Sequence, residues 1–211
     1  MLLEDASGGA AGPGVEGVER PRWLLDEKGP TMTQYTREVT LRDRVFALRL
    51  MAPADGGAML AFAGTVPPID RLFLRRDIVD PAEIQRWTDD ITAGRVVTLL
   101  AFEAGAIVGY AYLGFGTDSW TQHRAELRVL VSPGVRRVGL GRLLVGDAMQ
   151  YGRERGVSVI DAWMTIEQRD ARAMFEGFGF SEVAVLPRHV RDREGGAHDL
   201  VAMSLGMEED G

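Results

Sequence analysis

The stretch Val129-Leu130-Val131-Ser132-Pro133-Gly134-Val135-Arg136-Arg137-Val138-Gly139-Leu140-Gly141-Arg142 concentrates the residue types that bind phosphate. A hydrophobic run passes through a turn into two glycines that open an amphipathic segment. The first N–H groups of a helix have no internal partner, and the helix dipole puts partial positive charge there. Glycine keeps side chains off those amides. Arg136, Arg137 and Arg142 add positive charge on the same rim, so a pyrophosphate is the natural ligand. A Walker loop is absent, and the single lysine is Lys28. A dinucleotide fingerprint is incomplete, because Leu144 stands where the third glycine belongs. Seven residues also separate Val131 from Gly139, where that fingerprint starts directly after its strand. Asp161, 20 residues past Gly141, is the one feature in its favour. A glycine-rich helix start with no ligand is the remaining reading.

The surrounding elements must hold that loop. Val45–Met51 predicts a strand, followed by a short helix near 56–63 that ends before Pro67-Pro68. Asp80 as cap and Pro81 in the first turn predict a helix to about Ala93, stopped by Gly94. Strands over 96–103 and 106–114 share an Ala104-Gly105 turn suited to a hairpin. A strand over 125–131 then feeds the loop and a helix from Gly139 to Arg155, with Leu140, Leu144, Ala148 and Tyr151 on one apolar stripe. Strand 157–163, helix 168–178 and strands 180–186 and 200–205 complete the chain. The fold class is α/β: a mixed central sheet with flanking helices and one parallel crossover.

Arg136-x-x-Gly139-x-Gly141 after a V-x-P turn resembles the acyl-CoA signature of the GNAT superfamily of N-acetyltransferases. Ala171-Arg172-Ala173-Met174-Phe175-Glu176-Gly177-Phe178-Gly179-Phe180 is similar to that family's second conserved segment, and the order of elements agrees over residues 40–206. The resemblance implies a GNAT acetyltransferase domain over 32–207 that moves an acetyl group from acetyl-CoA directly to a primary amine of a small molecule or protein. It also implies that the strand before the loop splays from the next one. The backbone at Val129, Leu130 and Val131 would then pair with the pantetheine arm, and the amides of Arg137, Val138, Gly139, Leu140, Gly141 and Arg142 would hold the pyrophosphate, with Arg136 beside them. Glu126 lies where the family often keeps a carboxylate that acts as base or positions water; an ion pair with Arg124 or Arg128 is its structural alternative. His123, with an ordinary pKa near ~6.5, is a second candidate base.

Two positions depart from the family pattern. Gln168 stands where asparagine is frequent at the start of the second helix. Phe175 replaces the tyrosine that protonates the departing thiolate, so water or another group does that, or the thiolate leaves unassisted. Tyr110 and Tyr112 are candidates for the missing acid. Phe175 also supports an alternative reading, a non-catalytic acyl-CoA sensor module. Asp70, Asp77, Asp80 and Glu83 lie around the early helices, which by the resemblance often line the acceptor side, with a solvated helical face as the alternative; Trp87, Trp120 and Trp163 read as packing. A homodimer is an expectation because the family often forms one.

Composition bounds the rest. The 211 residues include no cysteine, which excludes thiol catalysis, disulfides and cysteine zinc sites and favours a cytoplasmic location. With three histidines and no H-E-x-x-H, no metal is expected. Residues 1–31 read as a flexible Gly-rich leader with net charge −3, with Met32 as a candidate start, and the acidic tail 208–211 carries another −3 of the total −7. The nearly neutral remainder has no basic face for nucleic acid, and no apolar run is long enough to span a membrane.

Overall fold

A computed structural model of the chain describes residues 35–207; the leader and the acidic tail lie outside the described residues. Eight strands form one sheet in the order β1-β2-β3-β4-β5-β6-β8-β7. They are β1 Thr36–Leu41, β2 Arg44–Leu50, β3 Val96–Glu103, β4 Ala106–Phe115, β5 Arg124–Val131, β6 Val159–Thr165, β7 Ser181–Arg191 and β8 Ala197–Gly206. Every pairing is antiparallel except β5 with β6, the predicted parallel crossover. Helices α1 Gly56–Thr65, α2 Pro68–Arg71 and α3 Pro81–Thr92 precede β3; α4 Leu140–Glu154 links β5 to β6, and α5 Arg169–Glu176 follows β6.

Strand alternation divides the apolar side chains between two cores. Leu99, Leu113, Leu127 and Ile160 face α4 and α5, where the predicted stripe of Leu140, Leu144, Ala148 and Tyr151 is buried. Leu100, Tyr110 and Tyr112 face the other way, against Met59, Phe62, Ile84 and Trp87 of α1 and α3. As expected, Asp80 caps α3, accepting from the Ala82 N–H at 2.9 Å, with Pro81 in the first turn. Trp87 donates to the buried Thr98 hydroxyl at 2.9 Å, whereas Trp120 lies on the surface and Trp163 is partly exposed.

One strand escapes the sequence reading. Thr36–Leu41 is a polar edge strand joined to β2 by Arg42-Asp43, both in the left-handed region at φ 47° and 64°. Such two-residue turns are ordinarily marked by Asn-Gly or Asp-Gly, and this chain has no asparagine. Arg37 donates to both Asp147 oxygens at 2.8 and 2.6 Å, and the Tyr35 hydroxyl donates to the same carboxylate, tying this edge to α4. β7 and β8 also run longer than expected, to Arg191 and from Ala197, so the connection between them shrinks to a tip over 192–196.

Candidate functional site

The parallel pairing of β5 with β6 covers three residues, Arg124 with Val159, Ala125 with Ile160 and Glu126 with Asp161. Beyond that rung β5 runs on to Val131 paired with β4, and β6 runs on to Thr165 paired with β8. The two strands diverge, as the resemblance implied. Asp161 sits at the apex, holding Arg124 through bonds of 2.6 and 3.0 Å and accepting from the Ser204 hydroxyl at 2.8 Å.

The Ser132 N–H bonds to the Val108 carbonyl at 2.8 Å. Antiparallel alternation then turns the backbone groups of Leu130 toward β4 and those of Leu127, Val129 and Val131 toward the open edge. This corrects the expectation for Leu130, whose amide belongs to the ladder; Val129 and Val131 remain available. The side chains of all three are packing groups, Val129 and Val131 against the α4 core and Leu130 against the α3 core.

The loop after β5 is pinned by a short turn over Pro133–Val135, with Val135 buried, and by Arg44, which donates to the Gly134 carbonyl at 2.6 Å. Arg137 (φ 62°) and Gly139 (φ 98°) are left-handed, and Gly139 is the N-cap of α4. The first bond of the helix runs from the Leu143 N–H to the Gly139 carbonyl at 3.0 Å, and no side chain caps the end. The N–H groups of Leu140, Gly141 and Arg142 are therefore free. A Cβ at Gly139 would enter open space, whereas one at Gly141 would meet Met174 and Val131 at 3.6 and 3.7 Å.

The arginines divide. Arg137 is exposed and has no carboxylate partner among the described residues. Arg136 pairs with Asp70 at 2.7 Å and donates to the Val131 carbonyl at 3.3 Å. Arg142 does not extend the rim with its side chain, because its guanidinium packs against Gly177 and over the Phe178 ring at 5.9 Å. Gln168 stands at the N-cap of α5 as expected, its side-chain Oε1 accepting from the Thr165 N–H at 2.9 Å. Phe175 is 3% exposed and packs edge-on against Phe180.

On the α3 face, Glu126 accepts from Arg75 at 2.7 and 2.9 Å and from Arg128 Nε at 2.7 Å. Arg128 is the ion-pair partner foreseen; Arg124 instead holds Asp161. Burial pushes the Glu126 carboxyl up, but the Arg128 and Arg75 guanidiniums outweigh it and hold the group below the usual glutamate range. Arg128 stacks over the Tyr112 ring at 4.7 Å. Tyr110 and Tyr112 pack edge-on against Trp87, and burial raises the Tyr110 pKa, which makes that phenol a weaker acid. Each acidic residue proposed for the acceptor side already has a partner: Asp70 has Arg136, Asp77 has Arg193, Asp80 caps α3, and Glu83 pairs with Arg86 at 2.5 Å.

Sequence reading missed Arg75, whose partner lies 51 residues away, and a clasp around His198. The His198 ring lies 2.9 Å from Glu167 and 2.7 Å from Asp192, with its edge on Phe73. Beside it Arg193 donates to the Arg71 and Arg76 carbonyls at 3.2 and 3.1 Å and pairs with Asp77. The β7–β8 tip is thus tied to both the α2–α3 loop and the start of α5. His123 and His189 are exposed.

The acetyltransferase (GNAT) family model matches residues 68–180. Mycothiol acetyltransferase of Thermomonospora curvata is 27% identical over 86% of this chain, which spans only 59% of that relative's length. The ribosomal-protein-alanine N-acetyltransferase structure from Brucella melitensis is 28% identical with a TM-score of 0.67, covering 76% of this chain and 99% of that one. A Salmonella typhimurium structure solved with acetyl-CoA as its cofactor shares the fold at a TM-score of 0.68 and 23% identity, covering 79% and 96% of the two chains.

Proposed function

The chain belongs to the acetyltransferase (GNAT) family, and we propose that it transfers an acetyl group from acetyl-CoA directly to a primary amine of a small molecule or protein. The observation that carries this reading is an uncapped, glycine-opened helix start reached by a strand whose edge is open. The two features offer donors for a pyrophosphate and, next to them, an edge for an amide-bearing arm, which is the chemistry of coenzyme A.

The free N–H groups of Leu140, Gly141 and Arg142, with Arg136, Arg137, Val138 and Gly139 around them, would hold the pyrophosphate. Val129 and Val131 would pair with the pantetheine amides, and Gln168 would border the same gap. The bound thioester supplies an activated acetyl group with a thiolate leaving group. An open-edge N–H of β5 would polarise its carbonyl, and holding the amine close removes much of the entropic barrier. With no cysteine in the chain, direct attack by the amine is the economical route.

Glu126, kept ionised by two guanidiniums, is a weak base. Its role is to accept a hydrogen bond from the amine and to hold the water that removes the proton. Phe175 only packs, so the thiolate departs to water. The names of the mycothiol and ribosomal-protein-alanine relatives support an amine acceptor. No helix among the described residues is long and apolar enough to cross a membrane, and the lack of cysteine fits action in the cytoplasm. Release of CoA from acetyl-CoA in the presence of a primary-amine panel tests the reading. Amine-dependent release supports it; binding of acetyl-CoA without release toward any amine would favour the sensor alternative that Phe175 suggests.

A further inference from the structure

The acceptor side of the Glu126 face carries more positive charge than its carboxylates neutralise. Arg75 and Arg128 share the single carboxylate of Glu126, Arg75 through one terminal nitrogen and Arg128 through Nε. Among the described residues the remaining N–H groups of both guanidiniums make no hydrogen bond, and at the end of α2 the buried Nε of Arg71 has no partner. Arg75 and Arg128, with Arg76, line a recess of about 20 Å³ walled by Leu74, Trp87 and Tyr112, enough for one water-sized oxygen. Tyr112 also lines a second, open cavity of about 220 Å³, together with Glu126 and with Asp90 paired to Arg95. The cationic recess and the cavity that Glu126 lines thus share Tyr112.

From this arrangement, and resting on the acetyl-transfer reading above, we infer that the acceptor is a free α-amino acid. Its carboxylate docks on the unused donors of Arg75 and Arg128, and its amine lies toward Glu126. Arg75 and Arg128 carry two positive charges against one negative, so an added carboxylate completes the balance, whereas a simple amine or a peptide N-terminus leaves the surplus unmet. The planar guanidinium suits a carboxylate in bidentate geometry. In the reaction the amine nitrogen bonds to the acetyl carbon, the carbon–sulfur bond breaks, CoA leaves as the thiolate, and the amine proton passes to water.

The experiment uses leucine, methionine and phenylalanine, each as the free acid, the carboxamide and the decarboxylated amine, with CoA release as readout. Acetyl-CoA binding is measured separately, without acceptor, by thermal shift. A charge-assisted contact of about 1.5–3 kcal/mol predicts kcat/KM for free acids roughly 10–100-fold above their partners. Arg75, whose side chain is 61% exposed, can be changed without disturbing the core; Arg75→Gln is expected to bring acid and carboxamide close to parity, a ratio that a purely structural role would leave unmoved. Carboxamides or amines turned over as fast as the acids overturn the inference, as does acetyl-CoA binding with no turnover of any free acid. Failure of acetyl-CoA to bind overturns the underlying reading instead, and is visible before any acceptor is added.

Discussion

At the scale of single residues, the role proposed for Glu126 turns on its charge. A glutamate in an apolar pocket is pushed up into the range of a useful base, but here Arg128 and Arg75 reverse that effect of burial. Glu126 therefore stays charged across the neutral range, and the acid limb of the rate must follow deprotonation of the substrate amine. Glu126→Gln is expected to lower kcat by roughly 10²-fold, leaving acetyl-CoA affinity and the position of the acid limb unchanged. A limb near neutral pH that vanishes in the variant would show instead that Glu126 itself takes the proton. The carboxylate was legible in the sequence because the 125–131 strand reads clearly and the family resemblance places a carboxylate on it. Arg75 was not, because only the tertiary fold brings it across from the α2–α3 loop.

At the scale of elements, the start of α4 separates backbone strain from ligand contact. Gly139 is left-handed with open space beside it, so Gly139→Ala should cost about 1–2 kcal/mol through its conformation and shift the free amides. Gly141 has only ordinary neighbours, so Gly141→Ala should fold with an unchanged Tm. If a pyrophosphate rests on its amide, the same substitution should weaken acetyl-CoA binding roughly tenfold, about 1.4 kcal/mol; titration of both variants by calorimetry checks the pair. The loop was readable because strand, proline turn and paired glycines are local signals. The direction of Arg142 was not, since its choice of Gly177 and Phe178 depends on where α5 packs.

The His198 clasp gives a second test at this scale. Glu167, and then Asp192, raise the His198 pKa above the ordinary imidazole value. A group whose folded pKa is raised contributes its full stability below the unfolded value near ~6.5 and loses it as the pH rises through the folded value. Thermal unfolding should therefore show a Tm that falls across that window, and His198→Gln should flatten the fall. An unchanged pH profile in the variant would mean that the clasp contributes nothing to stability.

For the whole molecule, the sheet carries two cores, and each borders a different half of the proposed site. The α4 side presents the helix start and the open edge of β5, and the α3 side presents Glu126 and its arginines. Most of the architecture was visible in the sequence because the central strands are apolar and the helices carry clear caps and stripes. The edge was hidden: β1 sets only Val39 and Leu41 against the core, and its turn uses Arg-Asp in place of the usual signal. The His198 clasp was equally hidden, since it joins residues from β6–α5, the β7–β8 tip and the α2–α3 loop.

The central claim, that this loop and edge hold an acyl-CoA, is tested most directly by thermal unfolding with acetyl-CoA, with NAD and ATP at equal concentration as controls. Ligand at ~100 times its dissociation constant stabilises by roughly 2.7 kcal/mol, or about 5–10 °C for a chain of this size. A rise in Tm with acetyl-CoA alone, reduced in Gly141→Ala, is the predicted result. No shift with acetyl-CoA together with a shift from NAD would contradict the account and return the loop to a dinucleotide site.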